Sequence, residues 1–146
     1  MTPYREQLER VRRFLVRVQN EDRDSIGYDD YLWAFFQNAW HLKDWIKNDS
    51  SISTKSRERI RKAAEASDEL QVCADLANRS KHFKLTNKRR DADVTSRNTT
   101  VFPGANRASE LTHIITLDDG TQLIAQELAK TVVDLWGEIL AQEGLK

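Results

Sequence analysis

Apolar positions at the start of the chain recur at helical spacing. Tyr4, Leu8, Val11, Leu15 and Val18 lie four and three residues apart in turn, so they share one face. Arg5, Arg12, Arg13 and Arg17 fall mostly off it. The pattern predicts a helix over residues 3–20, broken by the polar run from Asn20 to Ser25. A second helix is expected from about Tyr28 to Lys47, with Asp24 or Ser25 as candidate N-caps. Tyr28, Leu32, Phe35, Ala39, Leu42 and Ile46 make its core stripe, and Trp33, Phe36 and Trp40 make an adjacent one. A helix this aromatic should be covered on more than one side, by the bundle or by a partner subunit.

A short basic helix then starts at Ser53 or Thr54 and runs to about Ala66. Ser67 is a candidate N-cap for the fourth helix, although Leu70 stands where a capping box needs an acid or amide. Asp68 and Glu69 place negative charge in its first turn, where the helix dipole favours it. Leu70, Cys73, Ala74 and Ala77 point inward, and the helix is expected to end near His82.

Residues from about 86 to 110 are rich in Thr, Asn, Arg and Asp and contain Pro103-Gly104, so they read as a long polar connection. Leu111–Leu117 and Thr121–Ala125 flank Asp118-Asp119-Gly120, a hairpin signal. His113, Ile115 and Leu117 alternate with Thr112, Ile114 and Thr116. Val101-Phe102 is a candidate third strand. The last helix is expected over about 126–142, with Leu128, Val132, Leu135 and Ile139 at helical spacing. Trp136 and Leu140 widen its face, and Gly144 stands at the expected stop. The expected fold is one domain over residues 1–146: mainly α, a bundle of four or five helices with a small β-hairpin inserted before the C-terminal helix.

Composition narrows the class. The 146 residues carry 23 Lys+Arg against 23 Asp+Glu, which excludes a globally polybasic protein. Residues 1–109 nevertheless hold 21 basic and 16 acidic groups, against 2 and 7 over residues 110–146. A local phosphate-binding face and self-association are competing uses of that division. Five Gly and two Pro disfavour a sandwich of many tight turns. The lone Cys73 cannot form an internal disulfide, which fits a cytosolic protein. No apolar run approaches the roughly 20 residues needed to span a bilayer, and no signal-type segment opens the chain.

Candidate chemistry concentrates in the fourth helix. Asp75, Asn78 and His82 stand at i, i+3 and i+7, on one face. His82 falls in the expected last turn, where it could serve as acid or base on a phosphate or ribose group. The alternative is a polar network that merely orders the helix end. Six basic residues follow one another without an acid: Arg79, Lys81, Lys84, Lys88, Arg89 and Arg90, with Phe83 among them. Such a run can neutralise phosphates while the aromatic stacks a base, or it can be a solvated face and loop. A second basic run, Lys55 to Lys62, is interrupted only by Glu58. A metal reading uses His41 and Asp44, three apart on one helix, with His82 from another. Neither HExxH nor CxxC spacing supports it, and Cys73 reads as a buried structural thiol. No glycine-rich phosphate loop is present and no cofactor is expected.

The Asn78-x-x-x-His82 pattern at the end of a bundle helix resembles the HEPN superfamily, small helical domains that are often dimeric. Many are ribonucleases of toxin–antitoxin and phage-defence systems, and others are non-catalytic binding modules. The family's active motif is Arg-polar-x-x-x-His. Asn78 and His82 match its last two fixed positions, while Ala77 occupies the Arg position. The resemblance implies His82 as acid/base, Asn78 as its orienting or phosphate-contacting partner, and Arg79 or Lys81 as charge stabiliser. It also implies a cytosolic module, working as a homodimer and binding RNA or a protein partner. The middle third of the chain is similar to a group of uncharacterised bacterial proteins. The shared features are a His-Leu-x-Asp-Trp helix (His41 to Trp45) and an Asn-x-x-Lys-His helix end (Asn78 to His82).

Overall fold

The computed structural model describes residues 1–81, 93–100 and 110–146, with backbone alone for Ser80, Lys81, 93–100, Glu110 and Leu111. Four helices come first: α1 (Pro3–Asn20), α2 (Tyr28–Lys47), α3 (Thr54–Ala66) and α4 (Asp68–Lys81). Strands β1 (Asp93–Thr100), β2 (Glu110–Thr116) and β3 (Gln122–Ile124) follow, and α5 (Ala125–Gln142) closes the order. The architecture is therefore a helical bundle with a small antiparallel hairpin placed before the last helix, as the apolar spacing implies. Among the described residues, no helix is long and apolar enough to cross a membrane.

The bundle is organised around α2. It packs against α1 and α4 most extensively and also touches α3 and α5. Its stripe Tyr28, Leu32, Phe35, Ala39, Leu42 and Ile46 is buried. Phe36 of the second aromatic stripe is also fully buried, while Trp33 and Trp40 pack half-buried against the same core. Neighbouring helices thus supply much of the cover that so aromatic a helix requires. On α5, Trp136 fills the core while Leu135 is only half-buried, so the inward face is rotated toward the larger side chain.

Caps fall where short polar residues permit them. Ser53 Oγ accepts the Ser56 N–H at 3.2 Å and Ser67 Oγ accepts the Leu70 N–H at 3.2 Å, starting α3 and α4. The N-cap of α2 is Gly27, rather than Asp24 or Ser25. The chain before it is consumed in turns. Asp22 Oδ1 accepts the Asp24 N–H, and the Ser25 carbonyl accepts the Tyr28 N–H at 3.1 Å. At the other end of the chain, Gly144 (φ +72°) allows the last turn of α5 to close. Leu145 N–H bonds the Leu140 carbonyl and Gly144 N–H bonds the Ala141 carbonyl, each at 3.0 Å, which satisfies carbonyls the helix would leave open.

The cap of α1 comes from far away in sequence. Thr2 makes no side-chain cap. Instead Asp49, buried in the α2–α3 turn, accepts the Tyr4 N–H at 3.0 Å and the Ser51 N–H and hydroxyl at 2.9 and 2.6 Å. Burial pushes this carboxyl up, but the Ser51 hydroxyl, the Tyr4 and Ser51 amides and the Arg57 charge together hold it below its ordinary value. A lowered folded-state value means the stabilisation is present above about pH 4, the ordinary carboxylate range. It is lost as pH falls through that lowered value. Asp49→Ala should therefore cost about 1–3 kcal/mol at pH 7. Asp49→Asn should flatten the acid side of a stability–pH curve measured by urea unfolding. Parallel curves for Asp49→Asn and the parent would contradict this account.

The three strands form one antiparallel sheet in the order β1-β2-β3. Ile114 pairs with Ile124 and Thr116 with Gln122 across the hairpin. Its turn is closed by Gly120 N–H to the Leu117 carbonyl at 3.0 Å, with Gly120 at φ +84°, a conformation that favours glycine at this corner. Strand β1 lies inside the segment that composition marks as a polar connection. It is made of Asp93-Val94-Thr95-Ser96-Arg97-Asn98-Thr99-Thr100 and pairs from Asp93↔Thr116 to Thr100↔Glu110, with a bulge between Val94 and Ser96. Val and Thr suit extended backbone, but no apolar alternation announces the strand, because its pairing comes from β2. Val101-Phe102 lie outside the described residues.

Candidate functional site

The helix carrying the Asn motif is more enclosed than its sequence suggests. Leu70, Cys73, Ala74 and Ala77 are buried as their spacing requires, and so are Val72 and Leu76. Asp75, on the face expected to be polar, is also buried, and it is not without an interaction partner. Packing of α4 against α2, α3, α5 and β1 accounts for this. Asn78 and Arg79 emerge half-buried one turn later, and Arg79 also has a partner. Lys81 ends the helix. His82, Lys84, Lys88, Arg89 and Arg90 lie outside the described residues.

His41 and Asp44 are both exposed on α2. Asp44 lines a cavity of about 340 Å³ between the end of α2 and α3, together with Lys43, Lys47, Arg57 and Arg61. His41 does not line it. No group of three or more His, Cys, Asp or Glu side chains suited to a metal occurs among the described residues.

Cys73 is fully buried, and its Sγ–H donates to the Phe36 carbonyl at 3.2 Å. Burial pushes its thiol far up, against a smaller lowering by the Trp40 backbone. A thiol so held is a packing group. In the native state it should resist an aromatic disulfide reagent, and it should react fully in denaturant. Rapid stoichiometric labelling of the folded chain would contradict that.

A polar cluster that spacing did not point to sits where the sheet meets the bundle. Tyr28 begins α2, His113 lies on β2 and Gln126 lies in the first turn of α5. All three are buried. Tyr28 Oη donates to the Val18 carbonyl at 2.6 Å, at the end of α1. Gln126 Oε1 accepts the His113 backbone N–H at 3.3 Å. That orients the amide, so Gln126 Nε2 is the donor to Tyr28 Oη at 3.2 Å and to His113 Nδ1 at 2.8 Å. His113 Nδ1 is therefore the acceptor, and the ring proton sits on Nε2, which faces Asp29 Oδ1 at 3.3 Å. The Tyr28 and His113 rings pack with centroids 4.9 Å apart. Burial pushes the Tyr28 phenol up, more than Gln126 and Arg23 pull it down.

This cluster joins α1, α2, β2 and α5 through Tyr28, Gln126 and His113. With Nδ1, the ring's acceptor, held by Gln126 Nε2 and the ring fully buried, taking a proton from a substrate would require breaking that buried contact first. The arrangement suits positioning rather than acid–base chemistry. What it positions is the sheet, and β1 of that sheet touches α4, the helix of the Asn motif. One sequence signal for it existed: His113 shares strand parity with Ile115 and Leu117, so a histidine was due to face the core. No protein-family model, curated protein or solved structure matches the chain.

Proposed function

We propose that the chain is a HEPN-like helical module that binds RNA and does not cleave it. The observation carrying this reading is at Ala77, the position where the family motif has Arg. Ala77 is only 4% exposed, packed into the bundle. A guanidinium there would have to leave the core to reach a phosphate. Arg79 lies two residues on, about 200° around the helix, and has its own partner. Asn78 retains the polar position and is half-buried near the end of α4. The binding role then falls to Lys81, Lys84, Lys88, Arg89 and Arg90, with Asn78 and His82 contacting phosphate or ribose.

The test pairs a binding assay with a cleavage assay on the same unstructured RNA. Binding should weaken steeply with salt, because each neutralised phosphate releases counterions. No cleavage should be seen. Salt-insensitive or absent binding would end the RNA reading, and cleavage abolished by His82→Ala would restore a catalytic one. The same reading makes the module a cytosolic homodimer, in a bacterial defence or toxin–antitoxin setting. A monomer mass by light scattering at micromolar concentration would remove the dimer from it.

A further inference from the structure

Helix α1 carries five basic residues, and all are arginines: Arg5, Arg10, Arg12, Arg13 and Arg17. Three are already engaged. Arg10 bonds Gln7 Oε1, stands 3.6 Å from Glu6 and lies over the Trp45 ring at 5.4 Å. Arg12 pairs with Glu9 at 2.7 Å. Arg17 pairs with Glu21 at 2.6 Å and lies over Tyr31 at 5.8 Å. Arg5 and Arg13 have no carboxylate partner among the described residues, and both are exposed.

Arg5 is also held in place. Its Nε donates to Tyr4 Oη at 3.1 Å, and Tyr4 Oη donates to the Lys146 carbonyl at 3.2 Å. Tyr4 itself is buried, so the two terminal nitrogens of Arg5 are presented from a fixed support. Arg5, Arg12, Arg13 and Lys146 line one groove of about 700 Å³. Its acids, Glu6 and Glu9, are those already facing Arg10 and Arg12. Eight residues separate Arg5 from Arg13, about 12 Å along the helix axis.

The occupant follows from the surface chemistry. A protein partner would need an apolar centre with aromatic anchors. Among the described residues this groove has no aromatic lining residue, and its apolar members are Met1 and the buried Leu8. Guanidinium groups instead match phosphate oxygens bidentately and stack on bases. We propose that the α1 groove is a second docking surface for single-stranded RNA, with Arg5 and Arg13 as its phosphate contacts. This surface presupposes the RNA binding proposed above and lies on a different helix from the basic run after Asn78.

The experiment is fluorescence anisotropy of the full chain with a labelled oligouridine, over a series of salt concentrations. The Arg5→Gln/Arg13→Gln pair should bind at least tenfold more weakly at low salt. Its slope of log affinity against log salt should be shallower by about 1.4, at about 0.7 per lost cation on a single strand. Arg5→Lys/Arg13→Lys should keep the slope. Arg13→Gln alone, which removes no hydrogen bond or ion pair among the described residues, should reduce it by about 0.7 and guards against a folding defect at Arg5. An unchanged slope in the glutamine pair, with loss in Lys88→Gln/Arg89→Gln/Arg90→Gln, would overturn the α1 surface and leave the RNA reading standing. Absence of binding by the unaltered chain would overturn both. Self-association that the glutamine pair abolishes, without RNA binding, would assign the groove to a second copy instead and overturn it likewise.

Discussion

Trp136→Ala is expected to destabilise the chain by about 3–5 kcal/mol, the usual range for deleting a large core aromatic. Trp136 is among the largest fully buried side chains, and it lies between α5 and α2. Its indole Nε1–H donates to the Ala39 carbonyl at 2.9 Å, on the buried stripe of α2. Alanine would remove both the ring and that bond, and rigid helices on either side could collapse only partly into the space. Against a total stability of about 5–15 kcal/mol, the loss would take a large share. The melting midpoint should fall by roughly 10–20 °C for a domain of this length. Trp136→Phe keeps most of the volume and should recover more than half of the loss. Urea and thermal unfolding of the three proteins check this, and a cost below about 1 kcal/mol for alanine would show that the ring is not a packing centre.

Gln126→Leu should cost about 2–5 kcal/mol despite its added apolar surface. Leucine fits the volume but supplies neither donor nor acceptor. The substitution would leave His113 Nδ1 and the His113 backbone N–H without the partners described above, each worth about 1–3 kcal/mol when stranded in a buried site. Tyr28→Phe, which removes the hydroxyl bonded to Val18 and Gln126, should cost about 1 kcal/mol. Both residues belong to one network, so the double variant should fall short of additivity by at least 0.5 kcal/mol. Nitrogen NMR of the unaltered protein should show His113 with its proton on Nε2. An additive cycle, or a proton on Nδ1, would contradict the cluster as drawn.

The comparison of α1 with β1 shows what local sequence can carry. In α1 the apolar residues repeat at the period of the helix itself, so both ends and the buried face were legible from Tyr4 to Val18. The same holds for the main stripe of α2, for the start of α3 at Ser53 or Thr54, for the Ser67 cap, and for Gly144. In β1 the residues are polar and β-branched, and what makes them a strand is the β2 backbone beside them. No window of the chain contains that partner. The α1 cap fails to appear locally for the same reason, since Asp49 lies 45 residues away from Tyr4.

The candidate site divides along the same line. Asn78 and the basic run could be named from spacing and charge, because a helix face and a charge run are local properties. Burial of Asp75 could not, since it depends on which helices and strands enclose α4. The Tyr28–Gln126–His113 contact joins residues up to 98 apart, and no periodicity links them. The sequence by itself determined the helices, the hairpin and the residue chemistry available at each face. The tertiary structure alone decided which polar groups meet and which arginines of α1 lack a carboxylate partner among the described residues. Hydrogen bonds and ion pairs act over a few ångströms, and only packing brings distant segments within that reach.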